Sequence, residues 1–247
     1  MLEKSLIKLI RSLEYKKFRK LNNLFVAEGP KVVGDMMRRF TPHRILATAD
    51  WQRPKECGID ITEISKDELS KISFLQHPQQ VVGLFPLPQR ECTDRLNPHE
   101  QLIIALDGIQ DPGNLGTIIR VADWFGIDNI VCSNETTDAF SPKVVQATAG
   151  SLARVNITYT DLDRLVGQYE KTANVYGTVL DGENIYTKRL EKNGFIIMGN
   201  EGNGISKSLR GRLTEKLLIP CFKNGDTAES LNVAVATAIT ISEFMRQ

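Results

Sequence analysis

QLIIALDGIQDPGNLGTIIRVADWFGIDNIVCS, residues 101–133, decides the fold. The near-continuous apolar run LIIAL ends at Asp107-Gly108 and predicts a strand buried on both faces. A helix follows from about Gly113 to Gly126, and NIVCS supplies a second strand. Strand, helix and strand in that order form the unit of a parallel sheet. The alternation continues with a helix in SPKVVQATAG (141–150), a short strand in VNITYT (155–160) and a helix in DLDRLVGQYEK (161–171). Strands in NVYGTVL (174–180), FIIMGNEG (195–202) and KLLIP (216–220) precede a final helix. That helix, between Leu231 and Ile241, is apolar or small on nearly every side and reads as buried all round. The expectation is an α/β fold: a Rossmann-like parallel sheet with helices on both faces.

The first half is also α/β. Leu2, Leu6, Ile7, Ile10 and Leu13 recur at helical spacing. NLFVAEG (23–29) reads as a strand, and Pro30 opens a helix to about Arg39, a first-turn position that suits proline. HRILAT (43–48), a capped helix in SKDELSKIS (65–73) and a strand in QQVVGLFPL (79–87) complete it. The aperiodic, proline-bearing stretch 86–100 is the linker, which divides the chain into 1–95 and 96–247.

Of the 247 residues, 41% are hydrophobic and 25% charged, as in soluble globular proteins. No run reaches the length of a membrane span, and the charged N-terminus lacks the apolar core of a signal peptide. Cys57, Cys92, Cys132 and Cys221 are far apart, and His43, His77 and His99 are the only histidines. Neither a disulfide framework nor a metal site is expected, and a reducing cytoplasm is the expected location. The net charge of +1 conceals an asymmetry: 17 Lys/Arg against 12 Asp/Glu through residue 95, and 14 against 18 beyond it. Lys4, Lys8, Arg11, Lys16, Lys17, Arg19 and Lys20 crowd the first 20 residues, an arm suited to a polyanion or simply to a solvated helix face.

Three stretches begin where apolar strands end, the place where ligands gather in open α/β sheets. In LDGIQDPGNLGTIIRVADWFG (106–126), the Gly113–Gly116 turn opens a helix that carries Arg120. Asn114 is either a helix cap or a ligand group, and Arg120 either a surface ion-pair partner or a functional cation. FIIMGNEGNGIS (195–206) spaces Gly199, Gly202 and Gly204 as GxxGxG around Glu201. That is neither a dinucleotide fingerprint nor a phosphate loop, and it suits close backbone approach or left-handed turns. LLIPCFKNGDTAESLNVAVATA (217–238) sets Ser230 and Asn232 at the mouth of the last helix, with Ser230 as cap or as functional hydroxyl.

Together DPGNLGTIIRVADWFG, IIMGNEGNGIS and IPCFKNGDTAESLNVAVATA have the order and spacing of the three motifs of the SpoU/TrmH-type RNA 2′-O-ribose methyltransferases of the SPOUT superfamily. The resemblance covers about 99–247, and KKFRKLNNLFVAEGPKVV resembles the substrate-recognition domain that precedes it in such enzymes. It implies methyl transfer from S-adenosylmethionine to a ribose 2′-hydroxyl of rRNA or tRNA, a deep trefoil knot and a homodimer. Asn114, Arg120, Glu201, Ser230 and Asn232 fall on the catalytic positions, and Gly199, Ile219 and Leu231 on the backbone cradle for the cofactor's adenosine. Ala234, Ala236 and Ala238 would let a threaded helix pack closely. Lys16, Lys17, Arg19, Lys20 and Glu28 are the expected RNA-facing residues, although Glu28 is also placed to cap the helix at Pro30.

Two features depart from the family pattern. The 220–230 loop is about three residues longer than the usual short turn, and Gln146 stands where arginine is common. Competing functions are a non-catalytic RNA-binding scaffold and a base methyltransferase. The complete motif sets argue against the first, and the ESLN helix entry against the second. A nicotinamide-dependent oxidoreductase lacks its acidic ribose-binding residue.

Overall fold

The computed structural model describes residues 2–52, 61–88, 93, 96–226 and 228–247. The first part of the chain runs α1 (Lys4–Ser12), α2 (Lys16–Asn22), β1 (Leu24–Glu28), α3 (Pro30–Arg39), β2 (Arg44–Ala47), β3 (Ile61–Glu63), α4 (Lys66–Ile72) and β4 (Val81–Pro86). It continues β5 (Leu102–Asp107), α5 (Pro112–Phe125), β6 (Asn129–Cys132), α6 (Pro142–Ala147), β7 (Asn156–Tyr159) and α7 (Leu162–Gly167). β8 (Val175–Asn184), β9 (Gly194–Gly199), α8 (Lys207–Arg210), β10 (Glu215–Leu218) and α9 (Val233–Arg246) complete it. Contacts divide the chain into two units, Met1–Gln89 with Asp138–Arg154 and Arg90–Thr137 with Val155–Gln247. Cys57, Cys92 and most of the 89–95 core of the expected linker lie outside the described residues.

The first unit is built on a sheet of order β1-β4-β2-β3, in which β4 is antiparallel to β1 and β2, and β2 is parallel to β3. Alternation along β1 sends Leu24 and Val26 to one face, among Ile10, Leu13, Leu46, Leu69, Ile72, Val82 and Leu84. Phe25 goes to the other, where its ring meets Phe40 and Phe85 at 5.7 Å and Phe140 at 5.2 Å between centroids. Phe140 therefore binds the 138–154 segment, including α6, into this unit. The helix expected at 65–73 is present with a complete capping box: Ser65 and Glu68 each accept the other's backbone N–H.

Two residues expected to face RNA turn inward here. Arg19 is 2% exposed. Its Nη1 donates to the carbonyls of Leu13 and Glu14, both at 2.7 Å, and its Nε and Nη2 reach Asp138 Oδ2 at 3.2 and 2.6 Å. A guanidinium so placed ties α1, α2 and the 138–154 segment together and has little left to offer a phosphate. Glu28 is buried as well and accepts from the Ser73 hydroxyl and, at 2.8 Å, from Phe74 N–H. It does not cap α3, whose N-cap is Gly29 without a side-chain bond. Burial raises its pKa above the usual carboxylate value, against the opposing pull of the Ser73 and Phe74 bonds and of Arg11.

The second unit is a six-stranded sheet of order β10-β8-β9-β5-β6-β7, parallel throughout. β5 and β9 lie at its centre, paired from Leu102–Gly194 to Asp107–Gly199 and buried on both faces, as the apolar runs predict. Ile103, Ala105, Val131, Phe195 and Ile197 pack under Leu162, Leu165, Val166 and Leu209 of α7 and α8, while α5 and α9 pack on each other. Every expected strand is found. α8, with only one turn, and β3, with three residues, are too short to show periodicity in the sequence. β8 runs beyond the expected Leu180 to Asn184, and its pairing with β10 shifts register between Lys216 and Leu217.

α9 corrects the expectation of burial on all sides. Val233, Ala234, Thr237, Thr240, Ile241 and Phe244 form the buried stripe, but Val235 and the preceding Leu231 are half-exposed. Small and apolar residues continue round the helix because the outer face is apolar too.

Candidate active site

Because β5, β8, β9 and β10 are parallel, the segments after Asp107, Gly199 and Leu218 leave the same edge of the sheet. Asn200 pins two of them: its Nδ2 donates to the Gly108 carbonyl at 2.7 Å, and its Oδ1 accepts from Gly202 and Asn203 N–H. Asp107 Oδ2 accepts from Ser206 N–H at 2.7 Å, closing the 200–206 turn onto β5. The sequence reading missed both residues, since GNEGNG draws attention to its glycines and its one charge. Two glycines there are indispensable for different reasons. A Cβ on Gly199 would lie 2.3 Å from the backbone of Gly204 and Ile205, and Gly204 itself has φ +66°.

The first turn of α5 resolves the question of Asn114. Asp111 is the N-cap and accepts Asn114 N–H at 2.8 Å, so the Asn114 side chain is not spent on capping. Its Nδ2 donates to Glu201 Oε1 at 2.9 Å, and its Oδ1 accepts from Asn232 Nδ2 at 2.9 Å. Asn232, not Ser230, is the N-cap of α9, accepting the N–H groups of Ala234 at 2.9 Å and Val235 at 3.3 Å. One side chain thus both caps the helix and enters the site. The direction of every bond follows from that cap: Asn232 Oδ1 is committed to α9, its amide must donate outward, Asn114 must accept with oxygen, and the Asn114 amide must then find an acceptor. Glu201 is that acceptor.

Three of the five expected catalytic residues are therefore joined, each from a different strand-end segment. Arg120 and Ser230 are not. Both are exposed, and neither side chain forms a hydrogen bond or ion pair with any described residue. The alternative reading of Arg120, a surface ion pair, finds no partner among the described residues. At 100° per residue Arg120 lies about 120° round α5 from Asn114 and on the same side as Trp124, one turn later and 85% exposed. For the cofactor cradle, the main-chain N–H groups of Ile219 and Leu231 have no hydrogen-bond partner among the described residues, so both are available to a ligand.

Lys16, Lys17 and Lys20 are exposed on α2. No group of three or more His, Cys, Asp or Glu able to hold a metal occurs among the described residues, and no helix among them is long and apolar enough to cross a membrane. Cys132 is buried, which raises its thiol pKa and leaves it inert; Cys221 is exposed.

The model of the SpoU rRNA Methylase family matches residues 101–242. The chain belongs to the SpoU rRNA methylase family. The model of the MRM3-like substrate binding domain matches residues 4–83 of this SpoU methylase. A 23S rRNA (guanosine(2553)-2′-O)-methyltransferase, RlmP, from Bacillus subtilis is 32% identical over 238 residues, covering 94% of this chain and 92% of its own. The 23S rRNA (guanosine-2′-O-)-methyltransferase RlmB of Acinetobacter baylyi is 30% identical over 77% of this chain and 79% of its own. Among solved structures, an AdoMet-bound rRNA methyltransferase from Sinorhizobium meliloti superimposes with TM-score 0.86 and 31% identity, covering 100% of this SpoU methylase and 96% of its own chain. A TrmH-family structure from Porphyromonas gingivalis reaches 0.88 at 38% identity, over 100% and 99% of the two chains. The family read from the three motifs, its α/β fold and its cofactor are borne out.

Proposed function

We propose that this protein transfers a methyl group from S-adenosylmethionine to the 2′-hydroxyl of a guanosine ribose in large-subunit rRNA. The observation that carries the reading is the Glu201–Asn114–Asn232 chain of hydrogen bonds, set at the strand ends of a SpoU-family sheet. The two curated relatives are named for this reaction on guanosines of 23S rRNA. Bound S-adenosylmethionine supplies an electrophilic methyl carbon on a positively charged sulfur. The ribose oxygen must meet that carbon in line with the bond that breaks, so placement of the ribose accounts for much of the acceleration.

The roles of this chain's residues follow from what each has left to bond. Asn114 and Asn232 are committed to each other, and they hold the entrances of α5 and α9 at a fixed separation on either side of the ligand. Glu201 spends Oε1 on Asn114, while Oε2 has no partner among the described residues and is available for the proton that leaves the hydroxyl. Arg120, whose side chain has no partner among the described residues, suits an RNA phosphate beside the target ribose. Ser230 presents a hydroxyl with no partner among the described residues, and there it orients the ribose or the methionine moiety. The backbone at Gly199, Ile219 and Leu231 holds the adenosine.

The same reading includes a knotted tail, a homodimer and a cytoplasmic location. The backbone of Gly204–Ile205 lies so close to Gly199 that no side chain fits between them, which suits a tightly wound cofactor loop. Trp124 on α5 and the half-exposed Leu231 and Val235 at α9 provide an apolar surface for a second copy. A dimer closing over Trp124 sets Arg120 at the border of the active site.

The test separates chemistry from cofactor binding. Arg120→Ala should lose methyl transfer to rRNA while calorimetry finds S-adenosylmethionine affinity within about twofold of the parent. Equal loss of cofactor affinity would contradict the phosphate role, and absence of cofactor binding by the parent would favour a non-catalytic RNA-binding scaffold.

A further inference from the structure

The inward turn of Arg19 leaves α2 with an outer face of unusual composition. At 100° per residue, the side opposite Arg19 carries Phe18 and Leu21 on one flank and Lys17 and Lys20 on the other. Tyr15, the N-cap, stands one turn before Phe18. Tyr15 is 62% exposed, Leu21 73% and Phe18 37%. The Tyr15 hydroxyl and the Lys17 and Lys20 ammonium groups have no partner among the described residues. The backing is rigid: Arg19 Nη1 holds the Leu13 and Glu14 carbonyls of the turn that presents Tyr15. Two rings at the start of the helix and along one flank, and two cations along the other flank, are thus carried by a short helix whose Arg19 side is locked into the unit.

We propose that Tyr15 and Phe18 form a stacking platform for unpaired bases of the RNA substrate, with Lys17 and Lys20 taking the phosphates alongside. Rings flanked by cations match a single strand, which offers a base face and a negative charge at each nucleotide. A duplex hides its base faces and would use only the lysines. A second copy of the chain is disfavoured because Lys17 and Lys20 would meet their own equivalents across a two-fold axis. The identity of the polymer rests on the methyltransferase reading above; the single-stranded preference rests on this helix.

The experiment uses the full chain, a fluorescently labelled single-stranded adenosine 12-mer and a 12-base-pair RNA duplex, with anisotropy as readout. Stacking on an aromatic side chain contributes about 1–3 kcal/mol per base. Y15A/F18A should therefore weaken single-strand binding about tenfold or more, leave duplex binding within about twofold, and leave S-adenosylmethionine affinity unchanged. Y15W/F18W should restore or exceed the parent. K17A/K20A should lower the salt slope of single-strand binding by about 1.4, at about 0.7 per phosphate contact. Unchanged single-strand affinity in Y15A/F18A, equal losses on strand and duplex, or failure of the tryptophan pair to restore binding would overturn the platform. A parent that methylates rRNA while Y15A/F18A binds normally removes the platform alone. A parent that binds neither RNA removes both the platform and the RNA reading.

Discussion

Two arginines show how differently the two units use the same side chain. Arg19 lies in the most basic stretch of the sequence, yet every one of its nitrogens bonds to a carbonyl or to Asp138, and it is buried. Arg120 lies on α5 in a motif with little other charge, is exposed, and its side chain bonds to no described residue. A guanidinium whose donors are saturated is a structural strut, whereas one whose donors are empty among the described residues can still take a ligand. Density of positive charge along the chain does not tell the two apart, since Arg19 lies in the richest basic stretch and is buried. Only the positions of the acceptors distinguish them.

Exchanging the two arginines for alanine separates the roles most strongly. R120A should lower the turnover number by about 10²–10³-fold, as loss of one charge-stabilising donor does, with the melting temperature unmoved. R19A leaves Asp138 and two carbonyls without their partner. It should destabilise the first unit by about 3–5 kcal/mol, the range for breaking a buried pair, measured by urea unfolding. If R19A folds normally and loses only RNA affinity, the comparison is reversed. W124E should convert a dimer to a monomer in sedimentation and cost activity with it; a parent already monomeric would leave Trp124 without that role.

Smaller effects sharpen the contrast. N232A removes both the α9 cap and the donor to Asn114. It should cost about 1 kcal/mol of stability and a larger share of turnover, whereas N232D keeps the cap acceptor but cannot donate to Asn114. Restored stability without restored turnover in N232D is the expected signature of the dual role. Glu28 gives the smallest effect and the clearest sign. Its folded pKa is raised above the unfolded value, so its contribution is complete below the unfolded pKa and is lost as pH climbs through the higher folded one. E28Q should flatten that decline in stability from about pH 4.5 upward; an unchanged pH profile would show that the carboxylate is not desolvated.

Much of this was legible beforehand, for identifiable reasons. Strands such as LIIAL and FIIM are buried on both faces and read as unbroken apolar runs, so the parallel sheet and its order of elements followed from the sequence. The three strand-end stretches located the candidate site because a parallel sheet sends them to one edge, where Asn114, Glu201 and Asn232 join. Partner choice was not legible. Asn114 looked like a cap, but Asp111 three residues earlier took that bond, and Ser230 looked like a cap until Asn232 proved to be nearer the helix. Caps compete over two or three residues, and which one wins depends on φ and ψ at the turn. Asn200 and Glu28 act through bonds to Gly108 and to Ser73 and Phe74, many positions away along the chain, and no local pattern announces such partners.

The central claim is that the methyl group goes to a ribose oxygen of rRNA. The direct measurement incubates the purified protein with isotopically labelled S-adenosylmethionine and RNA from a strain lacking this gene, followed by nuclease digestion and nucleoside mass spectrometry. The account predicts label in a single 2′-O-methylguanosine of the large-subunit rRNA, at a linkage resistant to alkali. Label on a base, or no transfer to RNA by protein that binds the cofactor, would contradict it.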